Sequence, residues 1–187
     1  MKFAKQLIAL AAVAAAFSAH AESKITTGAG PLSAVARLDF RVIVPKVIFL
    51  QVGTGTAFID GPTIDRVDFT LLPADVTSGL PIAGVSTGGA INARVLGNGG
   101  NVTFGSTGPA TGLVHTTVPA QTIPWTQIAP AVVGTLIHPT VNAGATTLTA
   151  AAGVVNQTSV YSFNYSNSSV VAAGEYNGRV TYTASVL

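Results

Sequence analysis

The chain has 187 residues, of which 48% are apolar and only 9% charged, with nine Lys and Arg against seven Asp and Glu. Its bases are scattered rather than gathered into a patch, so neither nucleic acid nor an acidic membrane surface is an expected partner. There is no cysteine, which excludes disulfides and thiolate metal sites and leaves stability to the core or to association with other subunits.

Residues 1–21 read as a secretory signal peptide. Lys2 and Lys5 precede an apolar run from Leu7 to Phe17, and Ala19-His20-Ala21 is a small-x-small cleavage site. That run falls short of the ~20 residues needed to cross a bilayer, and no later stretch reaches it, so no stable membrane span is expected. The leader takes two of the nine basic residues and no acid, so the chain from Glu22 onward is balanced in charge.

Glu22 to Leu32 is polar and punctuated by Gly and Pro, a flexible lead-in. The stretch around which the chain is organised follows it. From Ala34 to Val44, Ala36, Leu38, Phe40, Val42 and Val44 alternate with Arg37, Asp39 and Arg41, the period of a half-buried strand. Pro45 has no N–H for a ladder and ends that strand, and Lys46 to Val52 forms a second one. No Asn-Gly or Asp-Gly separates the two, so they cannot fold back as a tight hairpin, and the first must pair elsewhere. A partner on another molecule and a partner within the same domain both remain open.

Further along, Thr56 to Ile59 and Arg66 to Leu71 are short strand candidates around Asp60-Gly61-Pro62, and residues 73–90, rich in Gly and Pro, are loop or edge. Ile91 to Leu96 and Val102 to Phe104 flank Gly97-Asn98-Gly99-Gly100 as a hairpin. Gly112 to Val118, Ile123 to Ile128 and Ala145 to Ala150 are short strands bounded by prolines. Ala129 to Val133 and Ala150 to Val155 are the places where a short helix fits. Thr158 to Tyr165 and Gly174 to Ala184 alternate clearly. Strands at roughly 8–12-residue intervals with almost no helical period imply an all-β sandwich.

Candidate chemistry is sparse. His115 and His138 lack acids at metal-ligand spacing and read as solvent-facing or locally bonded. Asp60, Asp65, Asp68 and Asp75 contain pairs that a glycoside hydrolase would need, but beside Gly61 and Pro62 they read as turn caps. The glycine pairs lack a following helix and so form no phosphate cradle. Trp125 reads as a core anchor ahead of a sugar-stacking platform. Four Asn-x-Ser/Thr sequons, at Asn101, Asn156, Asn164 and Asn167, fit chance in a Thr- and Ser-rich chain. No enzyme activity, cofactor or metal is expected.

Two stretches resemble a known family. VIVPKVIFLQVG, Val42 to Gly53, is similar to the start of class 5 fimbrial major subunits of the chaperone-usher pathway, and AAGEYNGRVTYTASVL, Ala172 to Leu187, is similar to their last strand. IPWTQIAP, Ile123 to Pro130, looks like a segment of related secreted pilin-like families. The resemblance implies an incomplete immunoglobulin-like β-sandwich, residues 45–187, completed by donor-strand exchange, with residues 22–44 as N-terminal extension and donor strand. It implies Ala36, Leu38, Phe40, Val42 and Val44 as the donor anchors, and Tyr176, Val180, Tyr182, Ala184 and Val186 on the strand that faces groove and chaperone. The implied partners are identical subunits joined head to tail, a periplasmic chaperone and an outer-membrane usher. The implied product is an extracellular fimbria for adhesion or biofilm. The alternative is a monomeric secreted adhesin or carbohydrate-binding module with its ligand near Trp125 and residues 73–90.

Overall fold

A computed structural model describes residues 22–56 and 58–186; the expected signal peptide lies outside them. The chain divides between Val44 and Pro45 into two units. In the first, residues 22–44 carry no helix or strand. Arg37 reaches back to Glu22, Nε to Oε2 at 2.9 Å, and the guanidinium holds that carboxyl below its ordinary range. The apolar row beyond it is exposed: 72% for Leu38, 87% for Phe40 and 84% for Val42.

The second unit is all-β. Its strands are β1 Ile48–Val52, β2 Val67–Asp68, β3 Ile82–Ala83, β4 Val85–Ser86, β5 Ile91–Gly97, β6 Val102–Thr107, β7 Leu113–His115, β8 Thr122–Ile123, β9 Ile128–Gly134, β10 Ala145–Leu148, β11 Val155–Tyr165, β12 Tyr176–Asn177 and β13 Thr181–Val186. Every pairing among them is antiparallel. β11 is the spine of the larger sheet. One of its edges carries β5 and then β3, the other carries β9, and β1 closes the sheet beyond β5. A second sheet runs β10-β6-β13, β12-β7-β8 forms a separate three-stranded sheet, and β2 pairs with β4.

Inward side chains of both sheets meet in one core: Ile91, Ala93 and Val95 from β5, Val155 and Tyr161 from β11, Val102 and Phe104 from β6, with Leu148 and Leu136 beside them. Their neighbours in sequence point outward, as the alternation of β5 shows, with Asn92 exposed between buried Ile91 and Ala93. Each fully buried Val, Leu or Phe contributes ~1.5–3 kcal/mol, and two facing rows of them hold the sheets together in the manner of a β-sandwich.

Several expectations from sequence are corrected. β5 and β6 are not a hairpin. Both edges of β5 are taken by β1 and β11, and both edges of β6 by β10 and β13, so residues 98–101 carry the chain from one sheet to the other. Asn98 fixes that corner: its Oδ1 accepts from the Val47 N–H at 2.7 Å and its Nδ2 donates to the Pro45 carbonyl at 2.8 Å. Residues 129–133, one of the two places where a short helix would have fitted, are strand. They lie in β9, a sheet edge, where Pro130 opposite Phe163 leaves no ladder bond broken on the inner side. Residues 150–155 form a turn closed by an Ala151–Val154 bridge. Phe58 lies in a turn rather than a strand, at φ 62°, and sets its ring tilted against Phe49 with 5.0 Å between centroids. The expected strand at 66–71 shrinks to β2, 112–118 to β7, and 123–128 to the end of β8 and a 3-10 turn. The last expected strand divides into β12 and β13.

Candidate functional site: an open strand edge and its cavity

The two clearest alternating stretches of the sequence end in different situations. β11 is paired along both edges, and its inward residues Val155, Ser159, Tyr161 and Tyr165 are buried. β13 pairs only β6, from Thr181 opposite Thr107 to Val186 opposite Val102, and β12 pairs only β7. Among the described residues the outer edge of both enters no ladder. Tyr182, Ala184 and Val186 point inward between exposed Thr181, Thr183 and Ser185, yet each is only half-buried. β1, which neighbours β13, has an open outer edge of its own, and its inward Leu50 and Val52 are half-buried too. A row of unpaired backbone N–H and C=O groups beside a half-covered apolar strip is a template for one more strand.

The interruption between β12 and β13 opens onto a cavity of about 770 Å3. Val67, Phe69, Trp125, Phe163, Val180 and Tyr182 give it an apolar floor, and Asp65, Arg66, Asn177 and Arg179 a polar rim. Trp125 stands on the 3-10 turn Trp125–Gln127 behind Pro124. Its indole N–H donates to the Pro109 carbonyl at 2.8 Å. Its ring fills the space that side chains at Gly108 and Gly178 would need, since a Cβ there would come within 2.9 and 2.8 Å of it. Trp125 is therefore an anchor and a wall of the cavity at once. The glycines at 108 and 178 are required for its close approach.

Behind the edge, His138 holds Tyr182. Its Nε2 lies 2.7 Å from the Tyr182 hydroxyl, and its ring meets Tyr161, Phe163 and Tyr182 edge-on at 5.0 to 5.5 Å. Burial pushes this imidazole below its ordinary pKa, against a smaller opposing pull from the Pro139 backbone, and Nδ1 has no hydrogen-bond partner among the described residues. Burial also pushes the Tyr182 hydroxyl up to about 12. The folded state thus favours neutral His138. The unfolded chain binds the proton at higher pH, so stability is full above the ordinary histidine value of about 6.5 and falls as pH drops below it. Urea midpoints at pH 7.5 and pH 5 are expected to fall further apart in wild type than in His138→Phe; equal shifts in both would show that His138 is not the source.

The other candidate residues have local tasks. His115 is buried and locally bonded, the second of the two alternatives its sequence context offered. Its Nδ1 accepts from the Thr117 and Val118 N–H groups, both at 3.1 Å, its Nε2 meets the Ala173 carbonyl at 3.1 Å, and its ring meets Tyr176 edge-on at 4.9 Å. The four aspartates are not brought together. Asp65 accepts from the Thr54 N–H at 2.6 Å and hydroxyl at 2.9 Å, Asp68 pairs with Arg66 at 2.7 Å, and Asp75 accepts from the Leu72 N–H at 2.8 Å. Asp60 makes no hydrogen bond or ion pair among the described residues. No cluster of three or more His, Asp or Glu suited to a metal occurs among the described residues, and no helix there is long and apolar enough to cross a membrane.

Of the residues expected on the groove-facing strand, Tyr182, Ala184 and Val186 lie on β13, Tyr176 on β12 and Val180 in the interruption, and all five are half-buried in alternation. The expected anchors Ala36, Leu38, Phe40, Val42 and Val44 lie in the first unit, outside any strand. Sequence reading did not single out Val67, Phe69 and Phe163, which reach the cavity from distant parts of the chain. Nor did it find the role of Asn167, whose buried amide donates to the Asp75 carbonyl at 2.7 Å and the Leu80 carbonyl at 3.3 Å. Its only signal was an Asn in a Ser-rich turn, the kind of residue that tolerates its φ of 50°. Comparison with protein-family models and with curated proteins finds no match.

Proposed function

We propose that this chain is a structural pilin subunit of an immunoglobulin-like type, exported through the periplasm, that polymerises head to tail into a surface filament by donor-strand complementation. The observation that carries the reading is the unpaired, half-buried apolar edge of β12 and β13 beside an open cavity, in a chain that also has an exposed alternating segment at 34–44. Edge and segment have matching needs. The edge lacks a strand, and the segment lacks a face to bury.

In this reading Ala36, Leu38, Phe40, Val42 and Val44 of one copy fill the groove of the next, and the main chain of the segment pairs with the open edge. Each Leu, Phe or Val so buried contributes ~1.5–3 kcal/mol, but ordering the backbone costs ~1–2 kcal/mol per residue, so the anchors alone do not suffice and the main-chain hydrogen bonds to the open edge, ~0.5–1.5 kcal/mol each, have to supply the rest. An unfilled edge of this length invites aggregation, which is why a periplasmic chaperone and an outer-membrane usher belong to the reading as partners before assembly. The filament would serve adhesion or biofilm and needs no catalytic chemistry from the chain.

Deleting residues 22–44 tests the assignment. The remaining chain is expected to fold with cooperative unfolding and to stay unable to polymerise. If it fails to fold even when the segment is supplied as a free peptide, the segment is an internal strand of its own domain and the reading fails.

A further inference from the structure

The charges on segment and edge specify a register, and this inference rests on the strand-addition reading above. On the segment, Arg37 is occupied by Glu22, while Asp39 and Arg41 form no ion pair among the described residues. On the edge, exposed Arg179 at the cavity rim likewise forms none. Glu175 accepts from the Asn177 amide at 2.9 Å and lies within electrostatic range of Arg66. The segment thus carries two charges without an ion pair among the described residues, and two charges of opposite sign stand on the edge four residues apart.

Directly opposed residues of an antiparallel pair project to the same face. The apolar row of the segment and the half-buried row of the edge are both even-numbered, so the register can slide only in steps of two. Asp39 opposite Asn177 would bring Arg37 onto Arg179. Asp39 opposite Thr181 would bring Arg41 onto Arg179. Asp39 opposite Arg179 pairs acid with base and sets Arg41 across from Asn177, one diagonal step from Glu175. A parallel pairing that keeps Asp39 on Arg179 carries Arg41 to Thr181, away from Glu175.

We propose that the segment of a second copy docks antiparallel to the β12–β13 edge with Asp39 opposite Arg179 and Arg41 beside Glu175. These charges select the register, while the apolar row supplies affinity. Side-chain sizes agree with the register. Ala36, the smallest of the central anchors, stands opposite Tyr182, Leu38 opposite Val180, and Phe40 opposite Gly178, where it reaches the Trp125 ring that borders that glycine. The edge backbone at 178–180 belongs to no strand, so the incoming segment meets unpaired groups there.

The absence of cysteine makes a direct test possible on the full exported chain. Val35→Cys with Thr183→Cys, which stand opposite each other in the same register and leave every charge in place, oxidised after assembly, is expected to give a ladder of disulfide-linked multimers, because directly opposed residues lie ~4.5–5.5 Å apart between Cα atoms, within disulfide reach. Val35→Cys with Thr181→Cys or with Ser185→Cys, each a slip of two, is expected to give little. A stronger ladder from either slipped pair, or assembly with no ladder from any pair, overturns the register. Independently, Asp39→Arg alone and Arg179→Asp alone are each expected to slow assembly roughly tenfold, twice the value of one cross-strand charge pair. The double variant is expected to recover, and a double variant as slow as the singles overturns the pairing. Phe40→Asp separates the two levels: if only the register is wrong it still cannot assemble, whereas if strand addition itself is wrong it assembles like wild type.

Discussion

Phe40→Asp is expected to abolish filament formation while leaving the 45–187 unit folded. Phe40 is 87% exposed in the first unit, so the change removes no core contact and burial cannot make it unfold the domain. In the filament the same side chain would lie in the groove. There the variant forgoes ~1.5–3 kcal/mol of apolar burial and must also desolvate a carboxylate, at a cost of several kcal/mol without a partner. Together these lower the association constant by more than about a thousandfold, at 1.4 kcal/mol per decade. Arg41→Ser, one residue on and on the other face, loses only one diagonal charge contact and is expected to lower filament yield by roughly two- to fivefold. Sedimentation of assembled material measures both. Equal yields from the two variants would mean that the faces of the segment are assigned the wrong way round.

Phe104→Ala is expected to be the most damaging single change within the folded unit. The ring is fully buried, stacks on Tyr182 at 6.2 Å, and belongs to β6, the strand held between β10 and β13. Truncating a buried Phe costs ~3–5 kcal/mol, the lost transfer free energy plus the cavity left behind. For a domain of this size each kcal/mol lowers Tm by about 2–4 °C, so a drop of the order of 10 °C is expected in a thermal melt. The loss falls next to the open edge. Tyr182 has Phe104 on one side and His138 on the other, so the groove wall should loosen with it. Val160→Ala, on the exposed face of β11, serves as the comparison, with an expected change within about 0.5 kcal/mol. A Phe104→Ala chain as stable as Val160→Ala would show that the two sheets do not share the core described above.

How far the sequence could be read depended on whether a feature is local. The alternation of Thr158 to Tyr165 and of Tyr182 to Val186 is local. It placed β11 and β13, and it assigned the inward face of β13 correctly, because a strand covered on one side must sort its side chains by period two. Pro45 stands at the boundary between the two units, but the strand expected before it, residues 34–44, is not formed in the structure, because alternation alone supplies no partner strand. Sheet membership is not local. Gly97-Asn98-Gly99-Gly100 has hairpin composition, and only the occupied edges of β5 and β6 show that it is a corner between sheets. The β9 stretch, with its alanines and Pro130, has weak strand propensity and is extended because β11 offers it an edge. The cavity was least legible. Its floor gathers Val67, Trp125, Phe163 and Val180 from four separate segments, and no spacing rule joins them. The histidines illustrate the same limit. Nothing in LVHTTV distinguishes an exposed His115 from one that caps two backbone N–H groups and touches Tyr176.

Electron microscopy of the exported chain, in the absence of any other subunit, tests strand addition between copies most directly. Filaments of indefinite length, lost on Phe40→Asp and carrying residues 34–44 protected from protease only once assembled, are the expected result. A soluble, monodisperse monomer with residues 34–44 already protease-resistant would contradict it, and would describe instead a self-contained sandwich whose first strand pairs within its own domain.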